Sequence, residues 1–114
     1  MARDILPPVH PGEILREIYL EPLGLSAGAL AKKLGVPRTR IERVVAEKTA
    51  ITPDTALRLS KFFNTTPELL MNMQTGYDLK MEAKPKKSEL ARIAQLAVAL
   101  HVRRLHPLAA LFPP

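Results

Sequence analysis

The sequence predicts an all-α fold. Its 114 residues hold no useful run of alternating apolar and polar positions, and three Phe, two Tyr and no Trp leave strands short of their favoured material. Ala, Leu, Glu, Lys and Arg, all strong helix formers, are plentiful. Apolar residues also recur at helical spacing, between residues that start and stop helices.

Residues 1–9 are expected to form a loose, flexible N-terminus. Pro11-Gly12-Glu13 opens a first helix that runs through Ile14, Leu15, Ile18 and Tyr19, and Pro22 and Gly24 end it. Ser26 is placed to cap a second helix, 27–34, whose inner face is Leu30, Ala31 and Leu34. Gly35 follows, where a left-handed residue closes a helix. Pro37 suits the first turn of a third helix, 37–46. Thr52-Pro53 begins a fourth, through Ala56, Leu57, Leu59, Phe62 and Phe63, and Asn64 stops it. Thr66-Pro67-Glu68 repeats the start signal for a fifth helix, 67 to about 80, with Leu69, Leu70, Met73 and Tyr77 expected to face inward. AKPKKS then breaks the pattern. Ser88 and Glu89 begin a sixth helix, about 88–105, with Leu90, Ile93, Leu96, Ala97 and Leu100 in one stripe, and Pro107, Pro113 and Pro114 stop any helix beyond it. Five short helices with brief connections favour one compact domain over residues 10–80, followed by a C-terminal extension, 81–114.

The net charge is +6, from 17 Lys and Arg against 11 Asp and Glu, and it is unevenly spread. Residues 30–61 carry eight basic and three acidic residues, and residues 80–114 carry seven and two. Basic blocks favour an acidic partner such as nucleic acid, although many charge runs are only solvated faces. There is no cysteine, so neither a disulfide framework nor a thiolate metal site is available. The opening MARDILPPVHPGE has no apolar region of signal-peptide length, and no segment reaches the roughly 20 apolar residues of a membrane span. A cytoplasmic, nucleoid-associated protein is expected.

The constellation around Gly35 carries the function. Two helices joined by a tight turn cross steeply, so a small residue is needed where they meet, and Ala31 sits there. Glycine supplies the positive φ of the turn. Val36, Ile41 and Val44 then lock the following helix onto the first. This is a helix-turn-helix arrangement. At 100° per residue, Val44, Val45 and Lys48 fall within about 60° of Ile41, while Thr39 and Arg43 fall on the opposite side. Arg40 and Glu42 flank them, and Arg38 lies in the first turn. A rigid inner face with forked donors outside is what base reading requires, since guanidinium groups match guanine acceptors or clamp phosphates. Thr39 lets the backbone approach DNA, Lys48 and Thr49 follow within reach of phosphates, and Ser26 begins a helix whose amides favour a phosphate.

HPGEILREIYLEPLGLS, GVPRTRIERVVAEKTAIT, PDTALRLSKFFNTTPELLMN and QTGYDL, over about residues 9–80, resemble the HigA-type antidote proteins of bacterial toxin–antitoxin modules. These belong to the Cro/repressor-like helix-turn-helix group. The resemblance implies a five-helix, lambda-repressor-like DNA-binding domain, here with an extra C-terminal helix. It implies a homodimer on a palindromic operator in double-stranded DNA, repression of the chain's own operon, and neutralisation of a HigB-like toxin that cuts mRNA. Carried over residue by residue, it assigns DNA contacts to Ser26, Pro37, Arg38, Thr39, Arg40, Glu42, Arg43, Lys48 and Thr49. It assigns dimer contacts to Leu69, Leu70, Met73 and Tyr77. The chain departs from the pattern at Ala27, where glutamine is frequent, at Ala46-Glu47, where Asn-Gly is frequent, and at Leu69-Leu70, where Phe-Trp is frequent.

Other chemistry finds little material. His10 precedes a helix start and reads as a capping or packing residue. His101 and His106, five apart, do not share a helical face, so no metal or other cofactor is expected. No nucleophile triad, carboxylate pair or glycine-rich phosphate loop is legible, so no enzyme is expected. The stripe of the sixth helix suits packing on the domain or across a dimer, and less readily a toxin groove. Two alternatives to an antitoxin stand: a solitary repressor without a toxin, and an interaction module that has lost DNA binding.

Overall fold

The computed structural model describes residues 8–96 together with 108 and 111. The chain divides into two compact units, Met1–Lys84 and Pro85–Pro114. Among the described residues there is no strand.

The first unit holds five helices. The run α1 joins an α-helical turn, Pro11–Ile14, a π-helical stretch, Leu15–Leu20, and a further turn, Glu21–Leu23. Next come α2 (Ala27–Leu34), α3 (Arg38–Val45), α4 (Pro53–Phe63) and α5 (Pro67–Ala83). Their starts are chemically explicit. The side chains of His10, Ser26, Thr52 and Thr66 accept from Gly12, Ala29, Thr55 and Leu69 backbone amides, respectively. Each cap satisfies an amide that has no partner inside its helix, contributing about 1 kcal/mol. Their ends are equally regular. Gly24, Gly35, Glu47 and Asn64 all hold positive φ after α1 to α4. The amides of Leu25, Val36, Lys48 and Thr65 each reach back five residues to a helix carbonyl. That pair of features is the Schellman closure.

The π stretch in α1 was not anticipated from periodicity. Its physical cause is Pro22. A proline ring inside an α-helix presses on the carbonyl four residues back and offers no N–H. Widening the helix just upstream, so that Glu21 N donates to Arg16 O, removes that conflict. The changed phase leaves Ile18 exposed.

The core is built from Leu15 and Leu20 of α1, Leu30, Ala31 and Leu34 of α2, Ile41 and Val44 of α3, Ile51, and Ala56 and Leu59 of α4. Leu30, Ile41, Val44 and Leu59 form its sealed centre, at 1% exposure or less. Burying each such side chain contributes about 1.5–3 kcal/mol. From α5, Leu70 and Met71 pack against this core.

Two inward assignments on α5 need correction. Leu69 is exposed, and Met73 does not join the core packing. The buried residue is Gln74, with Leu70, Met71 and Tyr77 on its side of the helix. Gln74 can face inward because its amide is satisfied: Oε1 accepts from Ile51 N at 2.8 Å, and Nε2 donates to Asp78 at 3.0 Å.

In the second unit, α6 spans Lys87–Ala91. The helix expected over about 88–105 thus starts one residue early, with Lys86 at its cap, and leaves helical geometry after Ala91. Residues 97–105 of that span lie outside the described residues. Leu90, Ile93 and Leu96 are all exposed, so the stripe gains no burial to lengthen the helix. Short helices without tertiary packing are marginal in water. His101, His106 and most of the apolar end also lie outside the described residues.

Candidate nucleic-acid interface

The site is the α2–turn–α3 unit and the turn that leads into α4. Ser26 Oγ accepts from Ala29 N at 3.0 Å and so caps the start of α2. Gly35, at φ 72°, turns the chain, and Val36 N closes onto Ala31 O. Ala31 is buried at the crossing, as the small residue there should be. Pro37 sits at the cap of α3 with extended ψ, one position before the first turn that its fixed φ suggests. Ile41 and Val44 anchor α3 in the core, which fixes its rotation. Arg38, Thr39, Arg40, Glu42 and Arg43 are all exposed on the other side.

The three arginines differ in their surroundings. Arg38 Nε donates to Glu42 Oε2 at 3.1 Å, one turn along the same helix. Its aliphatic stem runs over Gly28, where an added Cβ would meet it at 3.4 Å. Arg40 Nη1 donates to Asp54 Oδ2 at 2.5 Å, across to the first turn of α4. Arg43 makes no ion pair among the described residues. Its guanidinium is exposed on the outer face of α3.

Beyond α3, Glu47 takes the left-handed position at φ 61°. Its carboxylate accepts from Arg16 of α1 at 3.4 Å, and Arg16 also donates to Val45 O at 2.6 Å. The acid that would disfavour DNA is therefore engaged by a cation at the C-terminal end of α3, where positive charge is favoured. Lys48 is exposed and Thr49 half-buried. Thr49 lines a shallow recess beside α3 with Arg40, Arg43, Thr52 and Asp54. Thr49 thus shares a recess with Arg40 and Arg43, while Ser26 caps α2 and Lys48 is exposed after α3.

Three contributors were missed by sequence reasoning. Arg58 of α4 donates through Nη1 to Leu34 O at 2.8 Å, and through Nε to Asp54 Oδ1 and Oδ2 at 3.2 and 3.1 Å. It holds Asp54 beside Arg40, and Arg16 holds the end of α3. The Asp54 carboxyl is kept below the usual carboxylate value, first through its hydrogen bond to Arg40 and then through Arg58. The signal available was the Asp54–Arg58 spacing, an i,i+4 pair on one helix face.

The four α5 residues split into two groups. Tyr77 lies edge-on to His10, with ring centroids 4.9 Å apart, and Leu70 packs on the core. Both make contacts within the chain. Leu69 is 49% exposed and Met73 half-buried, so these two remain open on the surface. Among the described residues no helix is long and apolar enough to cross a membrane.

Comparison with known proteins agrees with this geometry. A family profile described as helix-turn-helix matches residues 15–70. The chain is 55% identical over 87 residues to virulence-associated protein I of Dichelobacter nodosus, covering 76% of this chain and 81% of the relative. It is similar to the structure of an addiction module antidote protein of the HigA family from Coxiella burnetii. The identity is 42%, the TM-score 0.74, and the match covers 80% of this chain and 99% of that one. It is also similar to Pseudomonas aeruginosa antitoxin HigA, solved with the higBA promoter, at 34% identity and a TM-score of 0.76, over 79% of this chain and 99% of that one. The chain belongs to the HigA-type antitoxin family of helix-turn-helix proteins.

Proposed function

We propose that this chain is the antitoxin of a type II toxin–antitoxin module, which represses its own operon as a homodimer and neutralises a HigB-like mRNA ribonuclease. One observation carries the DNA half: α3 is split between Ile41 and Val44, sealed in the core, and Arg38, Thr39, Arg40 and Arg43, turned outward. A helix so fixed in rotation presents donors in constant register to base edges. Ser26, Lys48 and Thr49 then serve phosphates, which position the helix without reading sequence. The related HigA solved with its promoter supports extending this to operator DNA. In a dimer built on the exposed Leu69 and the half-buried Met73, two α3 helices enter successive major grooves about 34 Å apart, and the operator is an inverted repeat.

Two experiments test the reading. Binding of the purified chain to its own upstream DNA is compared with binding to a scrambled duplex. Tighter binding to the upstream DNA, weakening steeply with salt, is expected. Equal binding to both would leave an interaction module. The adjoining small reading frame is then induced alone and together with this chain. Growth arrest that this chain relieves is expected. A harmless neighbour, or no rescue, would reduce the protein to a repressor without a toxin.

A further inference from the structure

Among the described residues, Arg40 is the one arginine on the outer face of α3 whose guanidinium is bonded to another helix. Its guanidinium is bonded to Asp54 of α4, and Asp54 is gripped through both oxygens by Arg58. Arg58 is in turn anchored on the C-terminal carbonyl of α2, at Leu34. The chain of contacts thus ties Arg40 to α4 and, through Arg58, to α2. All three side chains are substantially exposed, so the pairs add little to folding stability. What they restrict is motion. A free arginine loses much of its rotamer freedom when it is fixed. Here that ordering precedes DNA binding.

The position of the carboxylate also matters. Asp54 lines the same recess as Arg40, Arg43, Thr49 and Thr52, so it stands at the interface rather than behind it. A carboxylate there opposes phosphates of any sequence. It leaves Arg40 with unused N–H donors, since arginine carries five and Asp54 takes one. An ordered fork with a screened charge suits the two acceptors of a guanine edge better than a phosphate.

We propose that Asp54 is a positioning residue for base recognition: held by Arg58, it orients Arg40 toward a base edge and lowers attraction to DNA of the wrong sequence. This rests on the DNA-binding reading above. The test uses the full chain with two probes, the duplex from upstream of its own gene and a scrambled duplex of equal composition. Wild type, Asp54→Asn, Arg40→Ala and the double variant are titrated at several salt concentrations, with thermal melts as a folding check. Asp54→Asn should melt close to wild type and bind the scrambled duplex at least as tightly. Its preference for the upstream duplex should fall about ten-fold. With Arg40 already removed, Asp54→Asn should change that preference by less than about two-fold, since the carboxylate acts through Arg40. Asp54→Asn that tightens or weakens both duplexes equally would overturn the proposal. So would an undiminished effect in the Arg40→Ala background. If wild type itself shows no preference, the DNA-reading function fails instead, and the two failures are distinct.

Discussion

Replacing Gly12 by alanine should cost the domain about 3 kcal/mol, although it removes a glycine from a helix. A Cβ built on Gly12 lies 1.8 Å from Val44 O and 2.9 Å from Val44 C. Real Cβ contacts essentially never fall below 3.0 Å, so the first turn of α1 and the end of α3 must separate by roughly 1 Å. Neither side yields easily. Gly12 N is bonded to the buried His10 cap, and Val44 belongs to the sealed centre of the core. Overpacking a core costs about 1–3 kcal/mol, occasionally more, and backbone meeting backbone belongs at the upper end of that range. For a domain of this size each kcal/mol moves the melting temperature by about 4–8 °C, so a fall of more than about 10 °C is expected by circular dichroism. The sign decides the matter. In open space, alanine in place of a helical glycine stabilises by about 0.5–1 kcal/mol. A Gly12→Ala variant that melts at or above the wild-type temperature would refute the close docking of α1 on α3.

Three further outcomes are expected. Arg43→Ala should weaken binding to the upstream duplex by about 1–3 kcal/mol and relax preference at one base pair, measured by titrating single-site operator variants; an equal loss on scrambled DNA would make Arg43 a phosphate clamp. At position 47, Glu47→Gly should be more stable than Glu47→Ala by about 1 kcal/mol in chemical denaturation. Both lose the Arg16 pair, but only glycine relaxes at positive φ, and the reverse order would contradict the left-handed cap. Gln74→Leu should destabilise by about 1–3 kcal/mol, despite being more apolar, because it leaves the buried Ile51 amide without an acceptor. A neutral or stabilising result would mean that water or a rearranged side chain takes over that bond.

What was legible in the sequence was what is local. Ser26, Thr52 and Thr66 as caps, and Gly35 and Asn64 as stops, act within a few residues, and all stand where expected. The helix-turn-helix was legible because its period, its glycine and its small crossing residue are close in sequence. The π stretch was hidden because it answers a conflict created downstream by Pro22. Gln74 was hidden because an inward polar residue makes sense only once its partner Ile51 N, 23 residues away, is in place. The same holds for Arg40 and Asp54, 14 residues apart. Glu47 departs from the family pattern in the sequence, and only the fold brings Arg16 to meet it. The inward face of α5 was misphased for one reason: apolar character alone was used to choose it.

The bond between Ile51 N and Gln74 has a consequence for hydrogen exchange. Ile51 lies in no helix, in the turn between α3 and α4, where amides usually exchange quickly with water. Yet its N–H is buried and bonded to a side chain of α5. Deuterium reaches it only when α5 lifts from the turn that follows the recognition helix. Its protection therefore reports one event: the opening of the final helix of the domain against the DNA-facing half. If that amide exchanges more slowly than those at the frayed ends of α5, a single loop proton becomes a gauge of how firmly the two halves are joined.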